Sequence, residues 1–209
     1  MAYGFLDIAG TPSVRAAQAA MGSDRLWTGR ELHRDFDRFT SQEVQFIGER
    51  DSFYMATVSE TGWPYVQHRG GPRGFLKVVD ERTLAFADYS GNRQYISTGN
   101  LAADGRAALI LMDYPRRMRM KIYAHVEVVA PEADPALAAL VTVPGYKARI
   151  ERIFVLRLDA FDWNCPQHIT PRFTEAEIEA ATLPLRERLA QLEAENEALR
   201  RTLPPRPVS

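Results

Sequence analysis

From residue 53 onward the apolar positions fall into short runs of strand character, separated by turn residues. "FYMATVS" (53–59) and "YVQHR" (65–69), joined by the turn "ETGWP", predict a β-hairpin over 53–69. "GGPRG" (70–74) then breaks the chain before two further strands, "FLKVV" (75–79) and "TLAFA" (83–87), turned by "DER". "RAALILMDY" (106–114) reads as a central strand, and "RMRMKIYAHVEVVA" (117–130) and "IERIFVLRLDAFDW" (150–163) as long ones. Helical spacing is confined to the flanks and connections. "TSQEVQFIGERD" opens with Thr40 three residues before Glu43, a capping pattern, with Val44, Phe46 and Ile47 on one side. "RQYISTGNLA" (93–102) and "EADPALAALVT" (132–142) read as short helices, and residues 1–39 as helix and coil wrapping the core. Six or seven strands joined by short turns predict a mainly β fold, an antiparallel barrel with peripheral helices rather than a doubly wound sheet.

The C-terminal stretch has a different period. In "LRERLAQLEAENEALRRTL" (185–203), Leu185, Leu192 and Leu199 recur every seven residues, and Leu189, Asn196 and Leu203 interleave at the same spacing. With the first set at d and the second at a, this is a coiled-coil seam carrying one polar a position. Arg188 and Glu195 then fall at g, and Glu193 and Arg200 at e, opposite in sign across a parallel dimer. The same stripe also suits a helix docked on its own barrel. The organisation expected is therefore 1–39 as N-terminal wrap, 40–173 as barrel, 174–203 as amphipathic helix and 204–209 as tail.

Composition narrows the function classes. In 209 residues, 26 basic side chains balance 27 acidic ones, which gives no reason to expect nucleic acid as a partner. The single cysteine, Cys165, excludes an internal disulfide and suits a reducing compartment. No apolar stretch has signal-peptide or membrane-spanning length, so the cytoplasm is the expected location and no membrane partner is expected. His33, His68, His125 and His168 are scattered, and Cys165 with His168 lacks a second pair at zinc spacing, so no metal site is expected.

The chemistry concentrates in "DYSGNRQY" (88–95), between a strand and a short helix. A helix N-terminus carries unpaired N–H groups and partial positive charge, which makes that junction a candidate anion site. Arg93 could grip a phosphate there, or could simply pair with Asp88 or solvent. Arg69 leads into a glycine pair that would allow close backbone approach to a ligand, or is incidental to a connection. In "RMRMK", Arg117, Arg119 and Lys121 share one strand face, the face of a cofactor ring or a solvated basic surface. "WNCPQHI" offers the indole of Trp163 and the amides of Asn164 and Gln167, suited to stacking on and bonding a heterocycle, or to core packing.

Residues 46–130, above all "QHRGGPRGFLKV", "TLAFADYSGNRQYISTGNL", "RAALILMDY" and "MKIYAHVEVV", together with "WNCPQHI", resemble the pyridoxamine 5′-phosphate oxidase-like family of FMN-binding split β-barrels, in its flavin-nucleotide-binding branch. The resemblance implies a homodimer with FMN held between the subunits. It places the phosphate-binding strand on Gln67, His68 and Arg69, continuing into Phe75, Leu76 and Lys77. It also implies a strand-end turn at Asp88, Tyr89 and Ser90, and cofactor contacts from the Asn92–Gln94 loop. The family's phosphate-binding Arg-Lys pair falls on Arg93 and Gln94, so one cation is missing and Arg69 or Lys77 is expected to compensate. A glutamine near the flavin ring falls on Arg119. The substrate-gripping Arg-x-His ending of the true oxidases is absent, which argues against pyridoxamine 5′-phosphate as substrate. The function implied is an FMN-dependent oxidoreductase passing hydride through flavin N5 with an unidentified small substrate. The alternatives are a non-catalytic flavin binder, or a barrel that takes heme or a deazaflavin.

Overall fold

A computed structural model of the chain describes residues 4–27, 37–163 and 167–202. Asn164, Cys165 and His33 lie outside the described residues. Three short helices, α1 (Phe5–Ala9), α2 (Pro12–Ala20) and α3 (Asp24–Trp27), precede α4 (Ser41–Gly48). In α4 the expected capping box forms: the Thr40 N–H donates to Glu43 Oε2 at 2.9 Å. The buried face is Glu43, Phe46 and Ile47. Val44, expected beside them, is instead exposed, because i, i+3 and i+4 from Glu43 share a helix face and i+1 does not.

Seven strands follow: β1 (Ser52–Val58), β2 (Pro64–Gly70), β3 (Lys77–Asp80), β4 (Thr83–Tyr89), β5 (Arg106–Asp113), β6 (Met118–Val129) and β7 (Ile150–Trp163). They form one antiparallel sheet in the order β2-β1-β5-β6-β7-β4-β3, so β6 rather than β5 is the middle strand. Helices α5 (Ile96–Ala103) and α6 (Pro135–Val141) connect strands. The sheet curls until its ends meet. Phe53 of β1 and Phe86 of β4 are edge to face with centroids 5.2 Å apart, and Arg69 of the β2 edge donates to Asp88 of β4 at 2.6 Å. This is the split barrel.

The interior follows from strand alternation. Phe53 and Met55 of β1, Leu109 and Leu111 of β5, Met120 and Ile122 of β6, and Phe154 and Leu156 of β7 point into one apolar cluster. β4 is buried on both faces, since Val141 and Leu137 of α6 pack on Ala85, Ala87, Ile153 and Val155 outside the barrel. That explains its unbroken apolar run. On the outer face of β1 and β2, Tyr54, Val58 and Val66 are exposed among the described residues.

Several sequence expectations shift. "FLKVV" becomes a strand only from Lys77, with Phe75 and Leu76 as core residues ahead of it. "RQYISTGNLA" becomes helical only from Ile96, because Arg93 and Tyr95 take left-handed backbone angles (φ 60° and 53°). Arg117 also has positive φ (53°) and lies in the turn before β6, so only Arg119 and Lys121 share the outward strand face. Residues up to Ile169 form one compact unit and those from Thr170 a second, which holds the 28-residue helix α7 (Glu175–Thr202). It starts in a second capping box, with the Thr174 N–H donating to Glu177 Oε2 at 2.8 Å and the Glu177 N–H returning to Thr174 Oγ1 at 3.2 Å.

Candidate functional site

At one end of the barrel three charged residues occupy inward strand positions. Asp88 is in phase with Leu84 and Phe86 on β4, Arg152 with Phe154 and Leu156 on β7, and Arg69 with Gln67 on β2. Asp88 is clamped between the other two, accepting from Arg69 Nη1 on Oδ1 at 2.6 Å and from Arg152 Nη1 on Oδ2 at 2.8 Å. A register shift between Asp88 and Tyr89 against β7 ends the regular ladder there. The chain then turns through Ser90–Tyr95 to α5, and the turn closes a pocket of about 200 Å³.

Guanidiniums of Arg69, Arg93 and Arg152 and carboxylates of Asp88 and Glu151 line this pocket, so its formal balance is three positive against two negative charges. Burial pushes the Arg69 guanidinium below the ordinary arginine range, and Asp88 opposes the effect. Glu151 accepts from the Tyr95 hydroxyl at 3.4 Å and from Arg152 Nη2 at 3.1 Å. Burial raises its carboxyl, but hydrogen bonds from Ser90 and Tyr95 and the charges of Arg152 and Arg93 win, and its pKa is lowered. Burial, then the neighbouring Tyr146, raises the Tyr89 phenol, so it remains a protonated donor at neutral pH. One buried donor of this set, Arg69 Nε, has no protein partner among the described residues; the Tyr89 hydroxyl has none either, but its ring packs on the other face of β4, against Tyr146 and the cluster under α6. Buried donors without acceptors are costly. With an excess positive charge, Arg69 Nε suits an oxygen-rich anion such as a phosphate monoester.

The structure brings only part of the expected set together here. Gln67, Arg69, Asp88, Tyr89, Asn92 and Arg93 line the pocket. Ser90 sits at its rim, bonded to Glu151, and Gln94 braces the loop, its N–H donating to Asn92 Oδ1 at 3.2 Å. His68 points to the opposite face of β2 and meets Tyr54 edge to face, because neighbouring strand residues alternate. Phe75 and Leu76 spend their side chains in the core, and Lys77 of β3 does not reach the pocket. Of the two cations expected to compensate for Gln94, Arg69 lines the pocket and Lys77 does not, and Arg152 lines it as well. Trp163 is engaged elsewhere, donating from Nε1 to Glu43 Oε1 at 2.8 Å and packing on Phe46. Gln167 is exposed, and Asn164 lies outside the described residues. Arg119 is on the outward face of β6, where its buried Nε lacks a protein partner among the described residues.

Sequence reasoning missed Arg152, Glu151, Tyr95 and Thr98. Arg152 Nη1 donates to Thr98 Oγ1 at 3.3 Å, and its guanidinium lies 4.5 Å from the Tyr95 ring centroid. The available signal was the phase of Arg152 with Phe154 and Leu156, a lone cation at an inward position of an apolar strand. The loop is strained at two non-glycine residues, Arg93 and Tyr95, each costing about 1–2 kcal/mol in the left-handed region.

The family model described as pyridoxamine 5′-phosphate oxidase matches residues 39–160. No curated protein matches the chain. Among solved structures, a candidate pyridoxamine 5′-phosphate oxidase from Lactobacillus delbrueckii is 22% identical, covers 60% of this chain and 93% of its own, and superposes with a TM-score of 0.45. An FMN-binding protein from Syntrophomonas wolfei is 14% identical, with 72% and 97% covered and a TM-score of 0.42. The heme storage protein HutZ from Vibrio cholerae is 13% identical, with 60% and 94% covered and a TM-score of 0.38.

Proposed function

The chain belongs to the pyridoxamine 5′-phosphate oxidase-like family of split barrels, and from that membership we propose that it is an FMN-binding flavoprotein whose phosphate site is the Arg69–Arg93–Arg152 pocket. The observation that carries the proposal is the spare donor capacity there: the unpartnered Arg69 Nε beside three guanidiniums. A phosphate oxygen would accept from these groups while Asp88 stays bound to Arg69 and Arg152. Arg152 supplies the cation that Gln94 lacks. Arg93, fully exposed on the strained loop, is placed to close over a ligand from the solvent side.

Bound FMN would supply two-electron redox chemistry with a small substrate, making the chain an oxidoreductase. The residues expected at the ring are not gathered in the phosphate pocket, and Trp163 is committed to Glu43. The exposed apolar face of β1 and β2, with Tyr54, Val58 and Val66, is the surface proposed to meet a second subunit, with the ring between the two. Arg119, with its unpartnered Nε, would then face the ring edge and favour its anionic reduced form.

The test is titration of the purified protein with FMN and with riboflavin, read by absorbance and fluorescence, alongside sedimentation. FMN should bind far more tightly than riboflavin, at one per subunit of a dimer. Equal affinity for the two flavins would remove the phosphate from the pocket. A sharp Soret band, or the single near-violet band of a deazaflavin, would replace FMN with another ligand. A monomer holding stoichiometric FMN would overturn the shared site.

A further inference from the structure

Helix α7 carries a self-complementary seam longer than the C-terminal leucines alone define. The heptad of Leu185, Leu192 and Leu199 extends back one repeat to Ile178 at d, and that of Leu189 and Asn196 back to Thr182 at a, across Pro184, which lies at c, off the seam, and removes one helical hydrogen bond there. Ile178, Leu185, Leu189, Leu192 and Leu199 are all exposed, between 44% and 72%. An apolar stripe of this length on an otherwise charged helix is the pattern of a helix that buries one face against another.

We propose that α7 pairs with α7 of a second copy of this chain as a parallel two-stranded coiled coil. Two features of the stripe identify the occupant. Flanking charges complement a second copy of the same sequence: Arg188 at g faces Glu193 at e of the mate, and Glu195 at g faces Arg200 at e. Within one helix the same residues are held only by exposed contacts, Arg188 to Gln191 at 2.9 Å and Gln191 to Glu195 at 3.0 Å, which leaves them reachable. Asn196 then sets the orientation. In a parallel pair it meets the Asn196 of its mate and the two amides bond each other. In the antiparallel alignment that centres the seam it would face Leu185, leaving a buried amide without a partner. Charge alone allows both orientations, because Arg188–Glu195 and Arg186–Glu193 contacts would also be of opposite sign.

This inference does not rest on the flavin reading, since it concerns residues 175–202 only. The test uses the full-length chain with Cys165→Ser, so that one introduced cysteine reports. Leu199→Cys at d is compared with Ala194→Cys at f, on the far side of the helix, under mild oxidation. Leu199→Cys should form a covalent dimer on a denaturing gel while Ala194→Cys stays monomeric. Adding Leu192→Asp to Leu199→Cys should abolish the band without loss of barrel fold, which excludes mere proximity through the barrels. Equal cross-linking at the two positions, or a Leu199→Cys band that survives Leu192→Asp, would overturn the pairing. Absence of a Leu199→Cys homodimer beside efficient cross-linking between Leu199→Cys and Thr182→Cys chains would overturn the parallel orientation.

Discussion

Arg152→Ala separates the phosphate reading from a structural one. The side chain is 17% exposed and makes four contacts: Asp88 at 2.8 Å, Glu151 at 3.1 Å, Thr98 at 3.3 Å and the face of Tyr95. Removing one partner of a fully buried ion pair costs about 3–5 kcal/mol. Here Asp88 keeps Arg69, and the vacated space opens to the pocket, so a loss of about 2 kcal/mol in folding stability is expected. Losing one charge-assisted contact to a phosphate is worth roughly 1.5–3 kcal/mol, or about ten- to a hundredfold in Kd for FMN. Riboflavin, without the phosphate, should bind the variant as it binds the parent. Arg152→Lys keeps the charge but not the two-pronged geometry, so its FMN affinity should fall between the two. Flavin fluorescence titrations measure the affinities, and urea unfolding of the ligand-free protein measures stability. A parallel loss for FMN and riboflavin, or lost stability with FMN affinity intact, would reduce Arg152 to a strut of the barrel.

Arg93→Ala should weaken FMN by a similar factor with almost no change in stability, because the side chain is exposed and its hydrogen bond among the described residues is a 3.4 Å one to the Tyr95 hydroxyl; unchanged FMN affinity in the same titration would place the loop outside the site. Glu43→Gln should destabilise by about 1–3 kcal/mol at neutral pH, since an amide cannot accept from both the Thr40 N–H and hydroxyl at the oxygen it replaces with nitrogen. Burial raises the Glu43 carboxyl, but bonds from Thr40 and Trp163 outweigh it and leave its pKa lowered. Its contribution is therefore present above the ordinary glutamate range and lost as pH falls through the depressed value. Urea unfolding should show the parent and variant converging in acid, and a gap independent of pH would refute this account.

Most of the fold was legible because the strands announce themselves by alternation or, in β4, by an unbroken apolar run. The hairpin over 53–69 and the long strands at β6 and β7 required nothing beyond period and turn residues. What the pattern could not resolve was where regular backbone stops. Arg93 and Tyr95 carry side chains of ordinary helical propensity, and their left-handed angles reflect packing around the pocket rather than local preference. The same limit applies to Phe75 and Leu76, which read as strand because strand and buried coil share an apolar composition. Within the site, Arg69, Asp88 and Arg93 were accessible from the junction and its family pattern, whereas Arg152 lies more than fifty residues further along the chain. Only the β4–β7 ladder, which pairs Asp88 with Arg152, makes them neighbours.

That pairing ties the seam of the barrel to the chemistry of its pocket. Asp88 joins β4 to β2 through Arg69 and to β7 through Arg152, so the bonds that close the sheet also set one carboxylate between two of the pocket's three cations. A phosphate that displaced Asp88 would open the seam as it bound, and its affinity would be reduced by that cost. The donor inventory makes displacement unnecessary. A guanidinium has five N–H donors, and Arg69 gives Asp88 a bond from Nη1 while Nε is left over. A bound phosphate would therefore add an acceptor where the protein has a surplus donor, and it would bond to the same Arg69 that holds β2 against β4. On the proposed function, anion binding there would tighten the seam rather than compete with it, so that occupancy of the pocket and closure of the barrel would reinforce each other.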